Sequence, residues 1–399
     1  MRLFGELLPY ENAQKMLLEN IIPLARTEKL SLDNALGRVL ACDVVATHNT
    51  PPFDRASMDG YAVRAQDTTE ANPGAPVHLD LVETIYAGSL TTQEVLPGRC
   101  IQIATGAKIP LGADAVVIVE DTRRDGKAVF VMKPACTGDN IGPLGGDIRQ
   151  GEILIRAGAL IGASLIGVLA SQGICQVEVY ARPIVAILPT GEEIIPLGGS
   201  LKDGQIYDIN SHTLAAMARL HGGEPRILPI TGDLQDTLEG ALGKALEADL
   251  VLTSGGTSVG ERDLLLDILE SRGKVFFRGV KIKPSKPTTF SKIDGKPVLG
   301  IPGNPTSCLM AAHLFLVPAL RRLARLPELT GCTVTARLTE KVLGDSRVQF
   351  LTVKLDRGLA HPVFKTSSAI TSMSEAVGYI VVPVGTTMEK DEAVEVTLF

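Results

Sequence analysis

Between Asp249 and Ser307 the chain gathers residues suited to holding an anion with a metal beside it. The run Thr253-Ser254-Gly255-Gly256-Thr257-Ser258-Val259-Gly260-Glu261-Arg262-Asp263 follows the apolar stretch Asp249-Leu250-Val251-Leu252 and leads into the apolar-periodic segment Leu264 to Leu269. A short strand, a glycine-rich turn and a helix in that order leave backbone N–H groups bare where an anion can sit. The same pattern also serves as a plain strand-to-helix connection, with Thr257 or Ser258 as N-cap. Two neighbours favour the anion. One is the lysine turn Lys281-Ile282-Lys283-Pro284-Ser285-Lys286-Pro287, followed by a buried-looking strand, Pro297 to Ile301, that ends in Pro302-Gly303-Asn304-Pro305-Thr306-Ser307. Lys281, Lys283 and Lys286 either cradle a phosphate or another oxyanion, or mark an exposed strand end. Lys281 and Lys283 share one face if the segment is extended, and the prolines around Lys286 reduce the entropy lost on binding. We read Lys283 and Lys286 as ligand-binding.

The other neighbour is acidic. A carboxylate ~4 Å from a phosphate is repelled by about 4 kcal/mol at a surface-like dielectric, so Glu261 and Asp263 need a reason to be there. Either they face water and favour the helix dipole, or a divalent ion bridges them to the ligand, and oxygen ligands suit Mg²⁺. A second acid pair lies in Pro189-Thr190-Gly191-Glu192-Glu193-Ile194. At a strand's carboxyl end, Glu192 or Glu193 is a candidate metal ligand or base, although adjacent acids in a loop are often simply solvated. The loop Asp203-Gly204-Gln205-Ile206-Tyr207-Asp208-Ile209-Asn210-Ser211 then enters a helix with Asn210 or Ser211 as cap.

Composition narrows the chemistry. A net charge of −6 over 399 residues argues against general affinity for nucleic acid. The six cysteines form no CxxC and read as free thiols in a reducing compartment. The histidines make no HExxH spacing, which disfavours a zinc site. The first residues carry no signal pattern, and no apolar run reaches the roughly 18 residues of a membrane span. The expectation is a soluble cytoplasmic protein.

The elements that must position these groups change character along the chain. Helical spacing marks residues 9–25, through Ala13, Met16, Leu17, Ile21 and Leu24, and an amphipathic stretch follows at 31–40. From about 51 to 150 the segments are short and β-rich, with strands expected at 77–82, 100–104, 115–119 and 128–132. The glycine-containing apolar run 160–174 predicts a tightly packed helix. From about 181, strands at 184–188, 227–230, 250–253, 275–281 and 298–301 alternate with helices at 211–221, 236–247, 262–271 and 306–323. That alternation predicts a mostly parallel sheet covered on both faces, with ligands at the carboxyl ends of its strands. After Pro327 the pattern is β again, at 333–338, 348–355, 363–365, 379–384 and 393–398.

Taken together, these residues resemble the molybdopterin molybdenumtransferase family, represented by bacterial MoeA and the E domain of gephyrin. The resemblance covers nearly the whole chain. It rests on Pro52-Phe53-Asp54 with Ser57-Met58-Asp59-Gly60-Tyr61-Ala62-Val63, Thr105-Gly106-Ala107, Gly145-Gly146-Asp147-Ile148, Thr190-Gly191-Glu192-Glu193 and Asp203-Gly204-Gln205-Ile206-Tyr207-Asp208. It continues through Ser254-Gly255-Gly256-Thr257-Ser258-Val259-Gly260, Lys283-Pro284 and Pro302-Gly303-Asn304-Pro305. One such motif is weak, but all of them in the same order are specific.

The resemblance implies a multidomain α/β and β fold. Its parts are an elongated helical linker domain (1–50 and 151–180), an inserted β domain (51–150), a MogA-like three-layer α/β domain (181–326) and a C-terminal β barrel (327–399). It implies an enzyme of molybdenum cofactor biosynthesis that inserts molybdate into adenylylated molybdopterin, with Mg²⁺-dependent hydrolysis of the adenylate and release of AMP. Catalytic roles would fall to Asp59, Thr105, Asp147, Glu193, Asp263 and Lys283, with Glu193 and Asp263 serving Mg²⁺. Substrate would be held by Ser254, Gly255, Gly256, Ser258, Lys286, Pro302, Gly303, Asn304, Pro305, Arg347 and Ser368. A homodimer with clefts shared between subunits is implied, with transient contact to other cofactor-synthesis enzymes or acceptor apoenzymes, and with neither nucleic acid nor membrane as partner. The chain departs from the family pattern at Gly142-Pro143-Leu144, where many members carry a basic run, and at Gly146, where they carry Glu. Lysine is frequent at Gly279, and Ser285 replaces a glycine. The alternatives are a molybdopterin adenylyltransferase, which ATP consumption would mark, and a gephyrin-like binding scaffold.

Overall fold

The computed structural model describes residues 6–232, 235–255, 264–329 and 331–399. The chain forms two compact units. One comprises Lys29–Leu36 and Leu40–Val177, the other Met1–Glu28, Gly37–Val39 and Glu178–Phe399.

The first unit is built on a six-stranded sheet in the order Ala115–Ile118, Gly60–Val63, Arg99–Ile103, Val77–Ile85, Ala128–Val131 and Thr122–Asp125. Side chains alternate across it. Tyr61, Val63, Leu79, Cys100, Val117 and Val129 fill one face, and Ala62, Ile85, Ile101, Ile103 and Val116 fill the other. The four expected strands are present. The inner strand Gly60–Val63 was not expected, because proline and polar residues precede it. Gly60 is required where it stands, since a Cβ there would lie 2.0 Å from the Val117 carbonyl oxygen.

Two expectations in this region need correction. The stretch 31–40 contains only one 3₁₀ turn, Leu32–Asn34, and Gly37, at φ +74°, takes the backbone out of helical space. The helix in 160–174 runs from Ala163 to Ser171 but is not tightly packed. Only Leu169 is buried, and no atom comes within 4 Å of a Cβ built on Gly167.

The second unit opens with α1 (Tyr10–Glu19), which buries Ala13 and Leu17 one turn apart. The helical pattern predicted to 25 stops early, at Asn20, whose side-chain amide donates to the Met16 carbonyl at 2.9 Å. From Ile184 the elements alternate: β1 (Ile184–Pro189), α2 (Asn210–Leu220), β2 (Glu224–Ile227), α3 (Gln235–Ala245), β3 (Leu250–Ser254) and α4 (Leu264–Arg272). Next come β4 (Gly273–Arg278), β5 (Ile282–Lys283), β6 (Thr289–Ile293), β7 (Lys296–Ile301), α5 (Pro305–Ala311) and α6 (Val317–Leu323). The sheet order is β2-β1-β3-β7-β6-β4. Strands β2, β1, β3 and β7 are parallel, whereas β7-β6-β4 is an antiparallel meander. The sheet is therefore mixed, and β6 was not anticipated.

Three layers follow from the pleat. Val185, Ile187, Leu252 and Leu299 pack with Leu214, Ala218, Phe315 and Leu320 on one face. Ala186, Leu188, Val251 and Val298 pack with Leu238, Leu242, Ile268 and Leu269 on the other. Each Val, Leu, Ile or Phe among them contributes about 1.5–3 kcal/mol on burial. The helix expected over 306–323 is interrupted by a π turn, Ala312–Leu316. Pro318 cannot donate to the Leu314 carbonyl, and the Gln14 side chain does so instead at 3.2 Å.

The C-terminal strands β8 (Thr333–Leu338), β9 (Val348–Asp356), β10 (Leu359–Pro362), β11 (Gly378–Val382) and β12 (Ala393–Leu398) close into a barrel in the order β9-β10-β8-β12-β11 and back to β9. Strand β5 adds to β9 in parallel. The strand expected at 363–365 is not there; the strand in this region is Leu359–Pro362, and 363–365 is irregular. Arg357 and Gly358, both at positive φ, make the tight two-residue turn that returns the chain from β9.

Candidate functional site

In the second unit, polar groups collect where β1, β3 and β7 end. The Thr190 N–H donates to the Ser254 carbonyl at 3.0 Å, and Ser254 is buried. Gly255 (φ +96°) lies so close that a Cβ would meet the Thr190 oxygen at 2.3 Å, and a Cβ on Gly303 would stand 3.6 Å from the Gly255 Cα. The glycine turn and the Pro302 to Pro305 turn therefore abut through bare backbone. Asn210 joins them, its side-chain amide donating to Ser254 Oγ at 2.9 Å and to the Gly303 carbonyl at 2.7 Å.

Sequence reasoning gave Asn210 or Ser211 the helix cap. The capping group is Asp208, whose carboxylate accepts the Ser211 N–H at 3.0 Å. Asn210 is instead a joining residue. Among the described residues, three buried atoms at this end, Asn210 Oδ1, Ser211 Oγ and Thr253 Oγ1, have no hydrogen-bond partner. Buried polar atoms left in that state cost about 1–3 kcal/mol each, so their presence suits a ligand that satisfies them.

Glu193 lies in the loop that follows β1, its carboxylate folded back over Gly191, where a Cβ would lie 2.8 Å from Oε2. Its carbonyl accepts the Ile206 N–H at 2.8 Å, and the side chain is exposed. Gly256, Ser258 and Asp263, with Glu261, lie outside the described residues. Among the described residues no group of three or more His, Cys, Asp or Glu could hold a metal. Glu193 nevertheless fits Mg²⁺, which accepts hard oxygen donors, keeps several waters and needs only one or two protein carboxylates beside a phosphorylated substrate.

The lysine turn stands at the junction of β5 and β9. Lys283 Nζ is 3.0 Å from Asp345 Oδ2, and Arg347 Nε is 3.5 Å from Asp345 Oδ1. Arg347 also donates to the Ile282 carbonyl at 3.3 Å. The Lys283 hydrogen bond, with help from Ser346 and the Arg347 charge, holds the Asp345 carboxyl down at about 2. Asp345 was not anticipated, although an acid two residues before an arginine in extended chain falls on the same side. Lys281 does not share a face with Lys283. The Ile282 N–H turns back to the Val280 carbonyl at 2.8 Å, which breaks the strand alternation, and Lys281 is exposed.

Two departures from the family pattern have a local basis. Gly279 adopts φ +86°, a conformation in which a lysine would be strained. Ser285 occupies φ +80°, and its buried hydroxyl donates to the Ser307 carbonyl at 2.6 Å, a bond no glycine could make. Lys286 is half-buried in the same turn, and its carbonyl accepts the Val280 N–H at 2.8 Å. The loop carrying Ser368 is tied to the Pro302 to Pro305 turn. Asn304 donates to Ser367 Oγ at 3.0 Å, the Thr306 N–H to the Ser367 carbonyl at 3.0 Å, and Thr306 Oγ1 to the Ala369 carbonyl at 2.8 Å.

In the first unit Asp59 and Thr105 meet. The Thr105 N–H and hydroxyl both donate to Asp59 Oδ1, at 2.6 and 2.7 Å, and these two bonds hold the exposed carboxyl below its ordinary value. Asp147 is exposed, its N–H bonded to the Thr50 carbonyl at 3.0 Å, and no side-chain bond joins it to Asp59 or Thr105. The Asp54 carboxylate accepts the Leu144 N–H at 2.7 Å, and the Arg55 side chain lies against Gly142, where the family's basic run is missing.

Comparison with known proteins accounts for most of the chain. Residues 8–173 match the MoeA N-terminal region (domains I and II), residues 186–322 a family described as "Probable molybdopterin binding domain", and residues 335–399 the MoeA C-terminal region (domain IV). A molybdopterin molybdenumtransferase of Bacillus subtilis is 34% identical over 375 residues, 90% of this chain and 86% of that protein. One from a Nostoc species is 38% identical over 307 residues, 76% of this chain and 70% of that protein. A crystal structure of a molybdopterin biosynthesis MoeA protein from Pyrococcus horikoshii OT3 superimposes with a TM-score of 0.83 at 32% identity, covering 99% of this chain and 100% of that one.

Proposed function

The chain belongs to the MoeA family and is a molybdopterin molybdenumtransferase of molybdenum cofactor biosynthesis; from that premise we propose that it inserts molybdate into adenylylated molybdopterin, with Mg²⁺-dependent hydrolysis of the adenylate and release of AMP. The observation that carries the reading is the convergence at the ends of β1, β3 and β7. Bare backbone at Gly255 and Gly303, a cross-linking Asn210 and buried polar atoms with no partner among the described residues lie there together.

In this reading the turns at Ser254-Gly255-Gly256 with Ser258, and at Pro302 to Pro305, hold the phosphorylated pterin. Glu193 and Asp263 hold Mg²⁺, which when bound would neutralise charge on the pyrophosphate. Lys283, with Lys286, Arg347 and Ser368, binds the oxyanion of the incoming metal, a role that the short approach of Lys283 and Arg347 to one carboxylate supports. Asp59, its orientation fixed by Thr105, and Asp147 contribute from the inserted β domain of the partner in a homodimer with shared clefts. A four-part division at 1–50 with 151–180, 51–150, 181–326 and 327–399 belongs to the same reading. So do a cytoplasmic location, with which the absence of any membrane-spanning helix among the described residues is compatible, and transient contact with other cofactor-synthesis enzymes or acceptor apoenzymes.

The test is AMP release from adenylylated molybdopterin by the purified protein, with molybdate and Mg²⁺ present and in turn omitted. Release that requires both supports the proposal. No release from folded protein overturns it.

A further inference from the structure

The proposed reaction uses the cations at the β5–β9 junction, but the anion between them has no place in it. Asp345 bridges Lys283 (3.0 Å) and Arg347 (3.5 Å) and accepts from its neighbour Ser346 Oγ at 3.0 Å. Exposed ion pairs swing freely and are worth little, whereas this one is built in. A Cβ on the preceding Gly344 would lie 2.3 Å from the Thr386 carbonyl oxygen and 2.8 Å from its nitrogen, so the backbone there is pressed against the 383–386 turn. The Gly385 N–H clamps the Asp345 carbonyl from the same turn at 2.9 Å. On the other side, Lys283 and Arg347 are fixed by the β5–β9 pairing, with Ile282 opposite Val348 and Lys283 opposite Gln349, and by the bond from Arg347 to the Ile282 carbonyl. Fixed backbone on both sides delivers the carboxylate to the cations.

We propose that Asp345 sets the oxyanion affinity of this site: its carboxylate acts as a built-in anion on the Lys283–Arg347 pair, and an incoming tetrahedral oxyanion must compete with it. The inference rests on the reading that Lys283 and Arg347 receive the substrate oxyanion. Two cations and one carboxylate attract a dianion less than two cations alone. Small abundant anions such as sulfate and phosphate are therefore held weakly, and an oxyanion that gains a second anchor on the pterin sulfurs is retained. The depressed carboxyl keeps this competition in force throughout the neutral range.

Calorimetric titration of the full-length protein with sodium molybdate and sodium sulfate, at fixed pH and ionic strength, tests the proposal. Asp345→Asn is expected to tighten binding of both anions about tenfold, the size of a partly screened charge repulsion at this range. In turnover its KM for molybdate should fall without a rise in kcat. Lys283→Gln should weaken binding in either background. If Asp345→Asn binds molybdate no more tightly than the unsubstituted protein while Lys283→Gln weakens it, Asp345 merely positions the cations and the inference is wrong, although the site reading stands. If Lys283→Gln leaves binding unaltered, the site reading itself fails. Asp345→Ser, checked for folding by circular dichroism, repeats the measurement with a second neutral side chain and must move the affinity in the same direction.

Discussion

Asp59 and Asp345 are both carboxylates held below their ordinary pKa, one in each compact unit, by different means. Asp59 is exposed and takes two hydrogen bonds from neutral donors on one residue, Thr105, so its negative charge remains displayed to whatever approaches. Asp345 is held mainly by the Lys283 ammonium, with Arg347 beside it, so its charge is cancelled locally. The difference teaches that a lowered pKa does not reveal what a carboxylate offers a ligand. Hydrogen bonds from neutral groups keep a charge available, whereas a cation partner consumes it.

The contrast can be broken at several points. Lys283→Gln, which strips the cation from one cluster, is expected to lower turnover about a hundredfold, as the loss of a group that stabilises developing charge does. Thr105→Val, which leaves the Asp59 charge and the backbone N–H bond in place but removes the hydroxyl bond that helps to orient it, should cost about tenfold less than that in the same assay. Equal losses would erase the distinction drawn here.

Titration by carboxyl-carbon NMR sharpens the comparison. Lys283→Gln should raise the Asp345 pKa from about 2 towards the ordinary value and leave Asp59 unmoved, and Thr105→Val should do the reverse. Because both carboxyls titrate lower in the folded than in the unfolded chain, each contributes stability that is present above the unfolded pKa and is lost as pH falls through the folded value. Either substitution should therefore flatten the acid limb of a stability profile. Salt separates the two again. Raising ionic strength should move the Asp345 pKa upward more than that of Asp59, since screening acts on the cation pair and hardly on bonds from neutral donors. The smallest effect is expected next to Lys283. Ser285→Gly relieves positive φ but loses the bond to Ser307, leaving stability within about 1 kcal/mol of the original, while Ser285→Ala loses the bond without relief and should cost about 1–2 kcal/mol by thermal unfolding.

Much of this architecture was legible in the residue order. Parallel strands β1, β3 and β7 read as unbroken apolar runs because both their faces are covered, and the turns that follow them are marked by glycine and proline. The antiparallel meander was less so. Thr289–Ile293 is only partly apolar, and its burial comes from packing against α4 and neighbouring strands. The sequence named Lys283 through its lysine turn, and Arg347, Ser254 and Asn304 through motif resemblance, and each lies at or beside the end of a strand or helix. Asn210 was noticed for the wrong reason and Asp345 not at all. Their roles depend on partners 93 and 62 residues away (Gly303 and Lys283), and no local spacing encodes such contacts. Likewise Gly255 reads as one more glycine until the Thr190 carbonyl is found beside it.

The most direct test of the central claim is a crystal structure of the protein with adenylylated molybdopterin bound. The account predicts phosphate oxygens against the main-chain amides of Ser254-Gly255 and of the Pro302 to Pro305 turn, and a ligand atom within hydrogen-bond distance of Asn210 Oδ1. A pterin seated elsewhere at saturating concentration, with those amides facing only water, would contradict it.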